Sequence, residues 1–191
     1  MRDPRIREID ARGYLRRLNA MLDVYTAAMD PPLEQLPGRR TIMERHATYP
    51  LFRSFVAERR RTLLGFVYGF HGKPGQWWHD VVYQALMDIG DEQTEAWLSN
   101  PFEVAELHVH PAYQGQGLGR RLLEAICAER PEATVVLSTL DRPDTRARRL
   151  YHSVGMTELL TGFEFPGGGP LYAVMAAPLP LAAKASAPRS A

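Results

Sequence analysis

The segment Gln114-Gly115-Gln116-Gly117-Leu118-Gly119 constrains the fold of this chain more than any other. Before it, Glu106-Leu107-His108-Val109 alternates as a strand does. After it, Leu118, Leu122, Ala125 and Ile126 recur on one side of a helix expected to run to Glu129. A strand that feeds a glycine-rich turn and then a helix is an α/β arrangement. The first N–H groups of such a helix have no internal acceptors and point outward with the positive end of the dipole. Glycines remove the Cβ atoms that would hold an anion away from those donors, and Arg120 and Arg121 add positive charge nearby. The segment is a phosphate cradle.

Its spacing excludes two common phosphate-binding loops. A nucleotide P-loop needs Gly, four residues, then Gly-Lys-Ser/Thr; counted from Gly115, the second glycine position holds Arg120. The dinucleotide fingerprint Gly-x-Gly-x-x-Gly fails too, because its third glycine falls on Arg120 or, one register later, on Leu122.

The rest of the chain reads as one domain over residues 1–177. With 191 residues, 45% of them hydrophobic, it has enough apolar surface for one full core. Strands are expected at Ile6–Asp10, Phe52–Glu58, Leu63–Phe70, Phe102–Val109, Thr134–Leu140, Glu158–Phe165 and Leu171–Ala177, and helices at Gly13–Met29, Arg40–Thr48 and Thr145–Val154, the last capped by Asp144. Residues 73–101 form an aromatic insertion in which Trp78, Val81, Val82, Ala85 and Leu86 have helical spacing. It could be a wall or lid over a substrate, a homodimer contact, or packing against the sheet. The Pro/Ala/Ser-rich tail, 178–191, is expected to be disordered.

Charge excludes broad classes of partner. Twenty-three Lys and Arg balance 22 Asp and Glu, so neither nucleic acid nor a membrane surface is an expected partner. The charged N-terminus lacks a signal-peptide core, no run is long and apolar enough to span a bilayer, and Cys127 has no disulfide partner. A cytoplasmic protein is expected. The six histidines, including His108 and His110, lack Cys or carboxylate companions at diagnostic spacing, so no metal is expected.

Gln114, Gly117 and Gly119 do fit Gln/Arg-x-x-Gly-x-Gly/Ala, after Leu107, Val109, Pro111 and Tyr113 in the pattern Leu-x-Val-x-Pro-x-Tyr. Downstream, Asp144 to Met156 is similar to Asn-x-x-Ala-x-x-Leu-Tyr-x-x-x-Gly-Phe, with Asp for Asn and Met for Phe. In both segments, and across about 102–177, the chain resembles the GNAT acetyltransferase superfamily. The resemblance implies a mixed, splayed, largely antiparallel sheet of six or seven strands with helices on both faces. It implies acetyl-CoA as cosubstrate, with the diphosphate held by Gln114, Gly115, Gln116, Gly117, Leu118, Gly119 and Arg120. The pantetheine arm would lie along Leu107 and Val109, and Asp144 and Tyr151 would complete the cofactor site. Arg146, Arg148 and Arg149 are further candidates for the adenosine 3′-phosphate, and Tyr25, Met29 and Phe52 for the acceptor pocket.

The implied function is acetyl transfer to a primary amine, in a small molecule or a peptide, by direct attack in a ternary complex. The alternative is a CoA-binding sensor or structural module without turnover. An amine of pKa about 10.4 is neutral roughly once in a thousand at pH 7, so proton removal matters. The resemblance makes Tyr151 the general acid; the alternative is a core tyrosine with its hydroxyl satisfied elsewhere. The base candidates are Glu103, then Glu106, then His108, each with a solvated or paired strand residue as alternative. Strict alternation puts Glu106 and His108 on the face opposite Glu103, unless a bulge intervenes.

Overall fold

The computed structural model describes residues 3–182. Its strands are β1 (Arg5–Ile9), β2 (Arg53–Arg59), β3 (Thr62–His71), β4 (Pro101–Val109), β5 (Thr134–Leu140), β6 (Thr157–Phe163) and β7 (Tyr172–Pro178). They form one seven-stranded sheet in the order β1-β2-β3-β4-β5-β7-β6. All neighbours are antiparallel except β4 and β5. The hairpin between β2 and β3 turns on Arg60 and Arg61, both at positive φ (49° and 70°), which matches the twist of the flanking strands.

Seven helices cover the sheet: α1 (Ala11–Arg16), α2 (Leu18–Met29), α3 (Leu36–His46), α4 (Trp77–Asp88), α5 (Thr94–Leu98), α6 (Leu118–Cys127) and α7 (Arg146–His152). On one face, α6 buries Leu118, Leu122, Leu123 and Ile126 against Val67, Val104, Val135 and Leu137, and Tyr151 of α7 joins that core. Full burial of each such side chain contributes about 1.5–3 kcal/mol. The other face carries two cores. One joins Tyr14, Leu18, Met21 and Met43 to Phe66, Tyr68 and Phe70; the other joins Val82, Leu86 and Leu98 to Val136 and Val174. Among the described residues, no helix is long and apolar enough to cross a membrane.

Several boundaries differ from the sequence expectation. The helix expected over 13–29 divides at Arg17, whose N–H bonds tightly to Tyr14 O at 2.9 Å; Asp10 caps the first piece through Gly13 N at 2.7 Å. Helix α3 begins at Leu36 rather than Arg40, because Pro37 in a first turn forfeits no hydrogen bond. Helix α7 is capped by Thr145, whose hydroxyl accepts from Arg148 N at 3.2 Å, and not by Asp144. Disorder is expected from Pro178 onward, yet Pro178 closes β7, Leu179 N–H donates to Ala133 O at 2.9 Å, and Leu179 and Leu181 pack on the core. The remainder of that tail, 183–191, lies outside the described residues.

Two irregularities position the site. Strands β4 and β5 pair only over Pro101–Glu103 and Thr134–Val136, although they continue to Val109 and Leu140; beyond Glu103 they part. On the other edge of β4, Tyr68 faces Glu106 while Gly69 faces Val104, so Ala105 is an extra, bulged residue.

Candidate active site

The parting of β4 from β5 opens a continuous cleft of about 1320 Å³. One end is bounded by the glycine loop and α7. The other is bounded by α2, α3, the start of α4 and the loop between β6 and β7.

At the first end the main chain supplies the polar groups. His110 N–H donates to Leu64 O at 2.8 Å. In the antiparallel register of β3 and β4, this makes His110 and His108 the hydrogen-bonded positions. Leu107 and Val109 therefore turn their N–H and C=O groups away from β3, toward the gap. Gln114 Nε2 donates to Val109 O at 2.9 Å, so that carbonyl is already engaged by the loop; Gln114 Oε1 accepts from Arg146 at 3.3 Å.

Gly115 and Gly117 have φ of 75° and 77°, a region that an L side chain enters only with strain. Gly117 is the N-cap of α6, and the first intrahelical bond runs from Arg121 N to Gly117 O. The N–H groups of Leu118, Gly119 and Arg120 precede it and have no acceptor within the helix. A Cβ on Gly119 would lie 3.4 Å from Leu150, ordinary contact, so α7 packs closely on this first turn of α6. Gln114, Gly115, Gly117, Leu118, Gly119 and Arg120 line the cleft; Gln116 and Asp144 do not. Asp144 contributes its carbonyl to Arg149 instead. Arg146 and Arg149 line the cleft, whereas Arg148 turns away into ion pairs with Asp141 and Glu158 that tie α7 to β5 and β6.

The bulge at Ala105 changes which side chains meet. Glu103, Glu106 and His108 stand opposite Phe70, Tyr68 and Phe66, which share one face of β3. Strict alternation, which would put Glu103 on the opposite face, is broken by this one extra residue, the bulge allowed as the alternative. Gly69 makes it feasible: a Cβ there would press into Glu103 O and come within 2.7 Å of the Phe102 ring.

The two carboxyls have opposite environments. Glu103 is 4% exposed, its Oε2 has no hydrogen-bond partner among the described residues, and burial pushes its pKa up from 4.5 to about 8. Glu106 is as deeply placed, and burial alone would raise it. The bond with His108 Nε2 (2.5 Å to Oε2) and the neighbouring charges, among them Arg39 (2.8 Å to Oε1), outweigh burial and hold it below its ordinary value. Arg39 lies over the Tyr25 ring at 5.1 Å, and His108 meets the edge of the same ring at 5.2 Å. Burial takes the His46 imidazole, bonded to Tyr68 OH at 3.1 Å, down to about 4.

Tyr151 reaches the cleft from α7 and takes no hydrogen bond from any described side chain; burial first, then the Glu106 charge, raises its phenol well above the ordinary value. Tyr25 and Met29 line the acceptor end, but Phe52 is outside the lining and packs, partly buried, against the core, 5.0 Å from the Tyr14 ring. The aromatic insertion divides between two roles. Trp78, Tyr83 and Trp97 pack against the sheet, with Trp78 Nε1 donating to Ser138 at 3.2 Å, whereas Trp77 stays exposed at the mouth, 5.5 Å from Phe165. Sequence reasoning missed Arg39: its partner Glu106 is 67 residues away, and nothing in the Arg39-Arg40 pair marks it out.

Comparison with known proteins adds an independent view of these features. The model of the acetyltransferase (GNAT) domain family matches residues 50–158. A GCN5-like protein acetyltransferase of Mycobacterium tuberculosis is 38% identical over 123 residues, covering 62% of this chain and 60% of that protein. The L-methionine sulfoximine/L-methionine sulfone acetyltransferase of Salmonella typhimurium is 40% identical over 53 residues, 27% of this chain and 31% of that protein. The matches thus take in less than two thirds of either relative's length. Among solved structures, yncA of Salmonella typhimurium with its cofactor acetyl-CoA superposes at a TM-score of 0.61 over 100% of both chains, with 20% identity.

Proposed function

The chain belongs to the GNAT acetyltransferase family, and on that premise we propose that it moves an acetyl group from acetyl-CoA to a primary amine by direct attack in a ternary complex. The observation that carries this reading is the convergence of the glycine loop, the outward-turned edge of β4, Tyr151 and the unpartnered Glu103 on one cleft.

The residues present suit the cofactor. The N–H groups of Leu118, Gly119 and Arg120 suit a diphosphate, with Arg120, Arg146 and Arg149 adding charge at the rim. The N–H groups of Leu107 and Val109 suit an extended amide-bearing arm laid against β4 as a further strand. Bound there, acetyl-CoA supplies an activated acetyl thioester.

Glu103 is the general base. A carboxyl with a pKa near 8 has a conjugate base strong enough to take a proton from an ammonium, yet it is ionised in a useful fraction at neutral pH. Glu106 is the weaker candidate, because Arg39 and His108 occupy its oxygens and lower its basicity. Tyr151 is the general acid, fully protonated at neutral pH and without a competing partner. An acceptor that arrives as an ammonium first gives one proton to Glu103, which passes it to solvent; the neutral nitrogen then takes the acetyl group from sulfur and loses its second proton to Glu103, while sulfur gains one from Tyr151. Solvent then restores both side chains.

A sensor without turnover would have no use for a buried carboxyl lacking a partner, which burial makes costly to keep. The reading takes the chain as cytoplasmic, in keeping with a lone, buried Cys127. Incubation with acetyl-CoA and a panel of primary amines, following free thiol, tests it. Amine-dependent thiol release is expected; coenzyme A binding without release from any amine favours the sensor.

A further inference from the structure

The charges and walls at the acceptor end of the cleft narrow the amine, an inference that rests on the transfer proposed above. Helix α3 presents Arg39, Ile42, Arg45 and His46 to the cleft, a single stripe at i, i+3, i+6 and i+7. Glu103 and Glu106 are the only carboxylates among the described lining residues. Both oxygens of Glu106 are taken, by Arg39 and by His108. Burial keeps Glu103 mostly protonated at neutral pH and His46 neutral. The fixed charges are therefore two guanidiniums against one spent carboxylate, and His108 adds no negative charge in either protonation state.

A second ammonium on the acceptor would find no anionic partner here, which disfavours polyamines and aminoglycosides. An acceptor anion is favoured. The side chain of Arg39 is 35% exposed, lines the cleft, and pairs with Glu106 through one terminal nitrogen of its planar fork. Arg45 makes no ion pair among the described residues. Around them stand aromatic walls from Tyr25, Tyr49, Phe70, Trp77 and Phe165, with the half-buried Tyr172 phenol close enough to Arg39 and Tyr25 to feel both. Arg39, Glu106 and Tyr151 line the same cleft, and the Tyr151 phenol feels the Glu106 charge that Arg39 pairs, so an anion held by Arg39 shares the cleft with the general acid.

We propose that the acceptor is a free α-amino acid with an apolar side chain, its carboxylate received by Arg39 with Arg45 next along α3, and its side chain laid against the wall of Tyr49, Phe70, Trp77 and Phe165.

Matched pairs test this: L-phenylalanine against phenethylamine, and L-methionine against 3-(methylthio)propylamine, with acetyl-CoA and a thiol read-out. The amino acid of each pair should exceed its decarboxylated partner in kcat/KM by about tenfold or more, the scale of a hydrogen bond between charged groups. Calorimetry of L-phenylalanine into protein saturated with coenzyme A should detect binding, and phenethylamine should bind more weakly. Arg45→Gln and Arg39→Lys should each narrow the ratio within a pair, leaving coenzyme A affinity unchanged. Equal or better use of the decarboxylated amines, or acetylation of peptide lysines alone, overturns the inference while leaving the transfer reaction standing. Coenzyme A binding with no turnover of any amine overturns both.

Discussion

Glu103→Gln separates the energetic and catalytic consequences of one buried carboxyl. In the folded chain its pKa rises from 4.5 to about 8 through burial, so the folded state holds the proton after the unfolded state has released it. Stability from this group is therefore fully present below pH 4.5 and is lost as pH rises through about 8, at about 1.4 kcal/mol per pH unit. That slope amounts to about 3 kcal/mol at pH 7 and about 5 kcal/mol above pH 8. Glutamine matches the side chain in size and cannot ionise. Urea melts of both proteins at pH 5, 6, 7 and 8 should show the variant gaining stability over the wild type by about 1.4 kcal/mol with each pH unit. The same variant should lose about 100-fold or more in kcat, the usual contribution of a general base. The rise of wild-type kcat/KM toward pH 8 should flatten. A stability difference independent of pH, with kcat within a few fold of wild type, would refute both the burial argument and the base assignment.

Other perturbations probe separate parts. Tyr151→Phe should lower kcat by about 100-fold while shifting coenzyme A affinity little; an unaltered rate rules out the acid role. Gly117→Glu places a strained, negatively charged residue at the N-cap of α6 (φ 77°) and should abolish coenzyme A binding by calorimetry, so unchanged affinity refutes the loop assignment. Gly69→Ala forces a Cβ to within 2.7 Å of the Phe102 ring and against Glu103 O; it should cost about 1–3 kcal/mol in denaturant melts and lower kcat by moving Glu103, and a neutral effect on both denies the bulge its role.

Local signals and long-range contacts were unequally legible in the sequence. The glycine loop announces itself because backbone geometry needs glycine at φ 75° and 77°, and Tyr151 falls on the core side of α7, with Ala147 and Leu150 packed on the same core. The individual strands follow from runs of β-branched and aromatic residues such as those of β3, while their mixed arrangement was implied only by the family resemblance. A bulge in this strand was open as an alternative, but its position at Ala105 was not legible, because it depends on Gly69 of the neighbouring strand yielding space to Glu103. That single residue decides whether Glu103 shares a face with Glu106 and His108. Nor could sequence spacing show that Arg39 neutralises Glu106, a contact made only when the folded chain brings the Arg39 side chain of α3 to β4. Thr145 displaced Asp144 as the cap of α7 because either residue type can serve, and only the backbone turn chooses between them.

The account stands on the main-chain N–H groups where the loop enters α6. A crystal structure of the protein grown with coenzyme A tests them most directly. The account predicts the diphosphate within hydrogen-bonding distance of the N–H groups of Leu118, Gly119 and Arg120, with the pantetheine arm running along Val109 and Leu107 toward Tyr151. A ligand held elsewhere, with that helix end in contact only with solvent, would contradict it.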